Sequence, residues 1–226
     1  MRKRVYSWLE REFVALSCEG RPEGSATKQL ASAFERFSKE LAGMGLSLEN
    51  VVRTRLWARD RESRNEASSE RARILTGKGR SAGSSYIAPD YFDSGARVAL
   101  DLLAMRPTRE QLEKTLKEYE PPITPLRYLI YDSVIFLSGV TAVLPALEQQ
   151  FADIVPRITE SLADAGSSWN QVARVSCFLH KSERVAYLKD LFQAHVKARI
   201  PRFEVGFVDG FSTEGKLVEV EVTAIL

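Results

Sequence analysis

The sequence predicts an α+β protein assembled from two copies of one unit, each a mixed β-sheet with two helices on one face. Three observations predict it. "GLSLENVVRTRLWARDRE", from Gly45, and "GSSWNQVARVSCFLHKSE", from Gly166, share a glycine, a serine, an asparagine just ahead of a valine, and an alternating apolar run. The offset of 121 residues that relates them also places Ser17 on Ser138, Gln29 on Gln150, Leu41 on Leu162, Arg53 on Arg174 and Glu62 on Glu183. It drifts by one residue where Arg80 meets Arg202 and Ala104 meets Ala224. Within both copies, stretches of period 2 and period 3.6 follow one another in the same order. A repeat this long is a duplicated domain and not a solenoid unit.

Each unit opens with an apolar strand, "FVAL" before Ser17 and "VIFL" before Ser138. An amphipathic helix follows. Leu30, Phe34, Phe37 and Leu41 fall on one helical face, as do Leu147, Phe151, Ile154, Ile158 and Leu162 in the second copy. Gly43 and Gly45 stop the first helix and Gly166 the second. Gln29 and Gln150 read as exposed positions on these helices. The strands "NVVRTRLWA" and "QVARVSCFL" alternate, and each precedes a charged second helix. "FEVGFVDG" and "KLVEVEVTAI" close the second unit. In the last strand Val218, Val220 and Val222 share one face and Glu219 and Glu221 the other. If the valines meet the helices, the carboxylates face away, toward a wet cleft against another subunit. Between the copies, "RPTREQLEKTLKEYEPPITP" reads as a short helix, with a capping box from Thr108 to Gln111 and a stop at Pro121 and Pro122. The expected division is a first domain over 1–105, a linker helix over 106–120 and a second domain over 121–226.

Composition narrows the function classes. With 44% hydrophobic and 27% charged residues, the chain is an ordinary globular one. A net charge of +2 demands neither nucleic acid nor an acidic membrane. The two cysteines, Cys18 and Cys177, sit in apolar runs and read as buried hydrophobes in a reducing compartment. No apolar run reaches the roughly 20 residues needed to span a bilayer. The basic start "MRKRVYSWLE" leads into no apolar stretch of the kind a secretion signal needs, so a cytoplasmic location is expected. His180 and His195 lack ligand spacing, and no metal is expected. Arg53 to Arg80 carries nine basic residues against four acidic ones, a local excess of +5. No aromatic stacking series accompanies it, so a solvated helical face is expected there and nucleic acid is not an expected partner.

The motifs in register resemble the Rid family, also called YjgF or L-PSP, whose domains have a chorismate-mutase-like fold. "PPITPLRYLIYDSVIFLSGVT" is similar to the family's opening strand and hairpin, "GSSWNQVARVSCFL" to its central strand, and "IPRFEVGFVDGFSTEGKLVEVEVTAI" to its closing pair. The second copy carries most of the likeness, over about 121–225. The first copy follows more loosely over 13–105. The resemblance implies pockets at domain–domain interfaces in a homotrimer, and hydrolysis of small enamines and imines to keto acids without a cofactor. In family register, Arg202 would hold the substrate carboxylate, Glu219 would activate water, and Gly139 would line the pocket. Arg80 would be the first copy's anion-binding counterpart, in the glycine- and serine-rich "GKGRSAGSSY". A guanidinium suits a carboxylate because two parallel hydrogen bonds fit it.

The chain departs from the family pattern at several points. The cysteine two residues past the arginine is replaced by Glu204 in the second copy and Ala82 in the first. The second-helix asparagine is missing from "ERVAYLKDLF", although Asn65 lies near its place in the first copy, and Ala99 stands where the first copy's glutamate would be. These losses keep open a non-catalytic role, binding a small carboxylate metabolite. An endoribonuclease, which lacks an acid/base pair here, and a chorismatase-type hydrolase rank behind both.

Overall fold

The computed structural model describes residues 1–109 and 111–226. The first sheet holds β1 (Arg2–Trp8), β2 (Arg11–Glu19), β3 (Val51–Ala58), β4 (Ala82–Ile87) and β5 (Val98–Arg106), in the order β1-β2-β5-β3-β4. The second holds β6 (Thr115–Lys117), β7 (Tyr128–Tyr131), β8 (Val134–Leu137), β9 (Val140–Thr141), β10 (Val172–His180), β11 (Phe203–Val208) and β12 (Val218–Ile225). Its order is β11-β10-β12-β8-β7-β6, with β9 beside β12. Read from its far side, β7-β8-β12-β10-β11 repeats the first sheet strand for strand. The pairs β3–β4 and β10–β11 are parallel, and the other pairs are antiparallel. The repeat in the sequence is therefore a repeat of topology.

Four helices cover the sheets: α1 (Ala26–Ala42), α2 (Arg61–Ile74), α3 (Leu147–Asp164) and α4 (Val185–His195). Ser25 caps α1 by accepting from the Lys28 amide, and the predicted stripe of Leu30, Phe34, Phe37 and Leu41 is buried. That stripe packs on Val14, Leu16, Leu56 and Leu100 of the first sheet. In the second unit α3 and α4 bury Phe151, Ile154, Leu188 and Phe192 against Val175, Cys177, Val218, Val220 and Val222. The valine face of β12 does meet the helices.

Two expectations are corrected here. Gln29 and Gln150 are buried, not exposed. Gln29 Oε1 accepts from the Arg97 amide at 2.8 Å and Gln150 Oε1 from the Leu217 amide at 2.8 Å. Each thus ties the start of its unit's last strand to its first helix, which is why the residue recurs in both copies. The linker forms no helix among the described residues of 106–120; Glu110 lies outside them. Thr108 gives its amide and hydroxyl to Asp132 rather than to a helix turn, and Thr115–Lys117 adds β6 to the edge of β7. Lys114 is drawn away as well, donating to the carbonyls of Val51 and Arg80.

The helix-free faces of the two sheets pack against each other within one chain, so the outward carboxylates meet the other half of the same molecule. Two apolar clusters bridge them. One joins Phe13, Val52, Ala82 and Met105 to Leu126, Leu129, Tyr131, Val134 and Phe136. The other joins Trp57, Tyr86 and Ala99 to Phe178, Val208 and Phe211. Between them lies a polar centre made by alternate residues of β3 and β12.

Candidate functional site

At that centre Glu221, 1% exposed, receives Arg55 Nε at 3.1 Å and Arg55 Nη2 at 2.6 Å, Ser84 Oγ at 2.6 Å and the Tyr86 hydroxyl at 3.1 Å. Arg53 adds a guanidinium 3.5 Å away. Burial alone would raise this carboxyl. The charges of Arg55 and Arg53 and the hydrogen bonds from Arg55 and Ser84 outweigh burial and hold it at about 2. A buried ion pair is tolerable only when its remaining lone pairs are satisfied, and the lone pairs of Glu221 are well satisfied. It is a permanent anion that locks β3 and β4 to β12.

Glu219, two residues earlier on the same face, has the opposite character. It is 6% exposed, and its Oε1 has no hydrogen-bond partner among the described residues. Burial, then the fixed charge of Glu221, push its carboxyl up to about 7, against the pull of Tyr86, Lys216 and Arg64. Gly139 makes room for it: a Cβ there would stand 2.0 Å from Glu219 Oε1. Two carboxylates on adjacent in-facing positions are therefore split, one permanently ionised and one poised to exchange a proton near neutral pH.

Glu219 and Gly139 line a cleft of about 560 Å³ whose opposite wall is α2 and β4 of the first unit. That wall contributes Arg64, Arg71, Ser84 and Ser85, and the second unit adds Lys216 and Arg157. Arg71 is buried against the start of β4, with Nη1 donating to the Ser84 carbonyl at 2.6 Å, and burial followed by repulsion from Arg64 lowers its pKa to about 10. Arg64 is held by Ser85 Oγ, at 3.0 Å from Nε and 2.7 Å from Nη2. Neither Arg64 nor Arg71 has an acidic ion-pair partner among the described residues. The cleft is a cationic pocket with one protonatable carboxyl, shaped to take an anion.

The four residues singled out by sequence are distributed unevenly. Gly139 and Glu219 come together. Arg80 lines the adjoining cleft, which shares Arg71 and Gly83, but its guanidinium is ion-paired with Glu118. Arg202 is elsewhere: it precedes β11, where Phe203 pairs with Val175, whereas Glu219 pairs with Phe178 across β10. The two are some four residues apart along β10 and on opposite sides of it, or about 13 Å along the strand and about 10 Å across. Arg202 lies instead over the Trp8 ring, 5.4 Å from its centroid. Glu204, in the lost cysteine's place, pairs with Arg174. Asn65 is exposed and accepts from Arg64 Nη1 at 3.0 Å.

Sequence reasoning missed Arg71, Arg64 and Lys216. For the two arginines the signal lay in the basic run from Arg53 to Arg80, which reads as a solvated face. The structure buries Arg53 and Arg71 and turns the run toward the domain interface.

No family model matches the chain, and the search of curated proteins gives no match. Solved structures do match. A Rid family protein of unknown function from Yersinia pestis is 19% identical over 50% of this chain and 99% of its own, with a TM-score of 0.46. A member of the YjgF family from Mycobacterium tuberculosis is 21% identical over 50% of this chain and 100% of its own, with a TM-score of 0.43. A chorismatase is 14% identical but covers 95% of this chain and 74% of its own, with a TM-score of 0.62. The chain is one α+β unit written twice, a fold that it shares over nearly its whole length with that chorismatase.

Proposed function

We propose that the cleft between the two domains hydrolyses small enamine or imine derivatives of amino acids to keto acids, with Glu219 as the proton carrier. The observation that carries this reading is the buried Glu219 carboxyl, pushed up to about 7 and facing Arg64 and Arg71, which lack acidic partners among the described residues. The substrate carboxylate binds the Arg71 and Arg64 guanidiniums. Ionised Glu219 takes a proton from water as its oxygen bonds to the C=N carbon, and the electron pair of the π bond moves to nitrogen. Glu219 then returns the proton to nitrogen, giving a carbinolamine. It next carries the carbinolamine hydroxyl proton to the same nitrogen, and the C–N bond breaks as the C=O bond forms, releasing ammonia and the keto acid. An enamine enters the same path after protonation at its β carbon. A group with a pKa near the working pH suits both halves of the cycle.

The test is competition for freshly generated imines. An amino-acid oxidase supplies 2-imino acids from a panel of amino acids, and the protein competes with semicarbazide for them. Wild type lowers semicarbazone formation. Glu219→Gln, which keeps the shape, abolishes this by about 10²-fold or more. Arg64→Ala raises KM, and Arg202→Ala leaves turnover unchanged. No competition with any imine overturns the reading.

A second reading has its own observation, the chorismatase whose fold covers 95% of this chain. Chorismate is a dicarboxylate, and the cationic cleft suits it. Chorismate is therefore included as a substrate: turnover that depends on Glu219, without any imine turnover, selects this second reading. We also propose a homotrimer of 25.4 kDa chains, measured by light scattering.

A further inference from the structure

A second cleft, of about 310 Å³, opens on the other side of the polar centre, between β1 and β2 of the first domain and the ends of β10 and β12 of the second. It does not share Glu219, Arg64 or Arg71 with the first. Six cationic residues line it: Arg2, Lys3 and Arg4 from β1, Arg53 and Arg55 from β3, and Arg174 from β10, although the Lys3 ammonium turns to Glu40 of α1. The acid among its lining residues is Asp101, already occupied in accepting from Trp57 Nε1 at 2.8 Å and the Tyr91 hydroxyl at 3.2 Å.

The cations are only partly neutralised. Arg53 and Arg55 share Glu221, Arg174 takes Glu204, Lys3 takes Glu40 and the exposed Arg2 reaches Asp93, while Arg4 has no ion-pair partner among the described residues, resting 5.2 Å from the Tyr6 ring. Arg53 is 4% exposed, and its buried Nε finds no acceptor among the described residues; nor does Nε of Arg174. Leaving a buried charged donor unpaired is costly, so the arrangement calls for an additional anion. Burial, then Arg55 and Arg174, lower the Arg53 pKa to about 10, although Glu221 opposes this. An added negative charge would relieve that repulsion.

From this geometry we infer that the β1–β10 cleft is a second ligand site, taking a small phosphorylated metabolite. Phosphoryl is favoured over carboxylate because the guanidiniums reach the cleft from three different strands. A carboxylate presents one plane that a single fork satisfies, whereas a phosphoryl group offers oxygens in three directions. The half-buried Tyr6 and Trp8 side chains form an apolar wall beside the cations and would contact the rest of the molecule.

The test is calorimetric titration with inorganic pyrophosphate at low ionic strength, with citrate as the carboxylate arm. One pyrophosphate should bind per chain, with a Kd at least about 10-fold below that for citrate. Arg174→Ala and Arg4→Ala, both at partly or fully exposed positions, should each weaken binding about 10-fold. Lys39→Ala, on the exposed side of α1, should leave it unchanged and reports any non-specific loss of charge. Circular dichroism of each variant confirms folding. No binding, equal affinity for citrate, or equal losses from Lys39→Ala and Arg174→Ala would each overturn the inference. Because Glu219→Gln leaves this cleft intact, pyrophosphate should bind that variant normally, which separates the fate of this site from that of the hydrolytic reading.

Discussion

Glu219 and Glu221 differ in partners, not in type, and the difference sets how stability depends on pH. Glu221 is held at about 2 against a usual value of 4.5, so it contributes about 3 kcal/mol above pH 4.5 that is lost as pH falls toward 2. Glu219 is raised to about 7, so it destabilises the fold above that pH and ceases to do so as it gains its proton. Stability should therefore rise as pH falls from about 7 to 4.5 and then decline. Chemical denaturation across this range checks it: Glu219→Gln should remove the rise and keep the decline. Gly139→Ala makes a second prediction at this scale. A Cβ 2.0 Å from Glu219 Oε1 must displace the carboxylate, so turnover should collapse, with a stability loss of about 1–3 kcal/mol. Alternation in "KLVEVEVTAI" revealed that both carboxylates share a face. It could not reveal that one would meet Arg53 and Arg55 and the other would face Arg64 and Arg71, because these arginines lie more than a hundred residues away.

Among the elements, those with a strong period were legible. The stripes of α1 and α3 and the alternation of β3, β10 and β12 were read directly, whereas β1 was not. Its hairpin with β2 turns through Leu9 and Glu10, both at positive φ (51° and 57°), and the matching hairpin turns through Asp132 and Ser133 (47° and 64°). Two successive left-handed residues make the turn that suits the sheet's twist, and Asn-Gly is its usual signature. Leu-Glu carries no such signal. Leu9→Asn with Glu10→Gly should accordingly stabilise the protein by about 1 kcal/mol, read as a higher denaturation midpoint with an unchanged slope. The capping box from Thr108 to Gln111 misled for a related reason: Asp132, at the tip of the second hairpin, competes for Thr108.

At the scale of the whole molecule, duplication was plain from the offset between copies, and the repeated strand order follows from it. What the offset could not supply was the contact between copies. Equivalent residues in a tandem repeat need not do equivalent work, and Arg53, buried at the interface, matches the partly buried Arg174. Reading the second copy alone led to Arg202 as the partner of Glu219. In the proposed site the first domain supplies Arg64 and Arg71 instead, because the candidate cleft is lined by both domains. Within that pair, the central claim is that the cleft holds a carboxyl poised near neutrality. The most direct test is a carbon-13 titration of the Glu219 side chain in the intact protein, assigned by its loss in Glu219→Gln. A midpoint near 7 is the predicted result, and a midpoint near 4.5 would contradict the account.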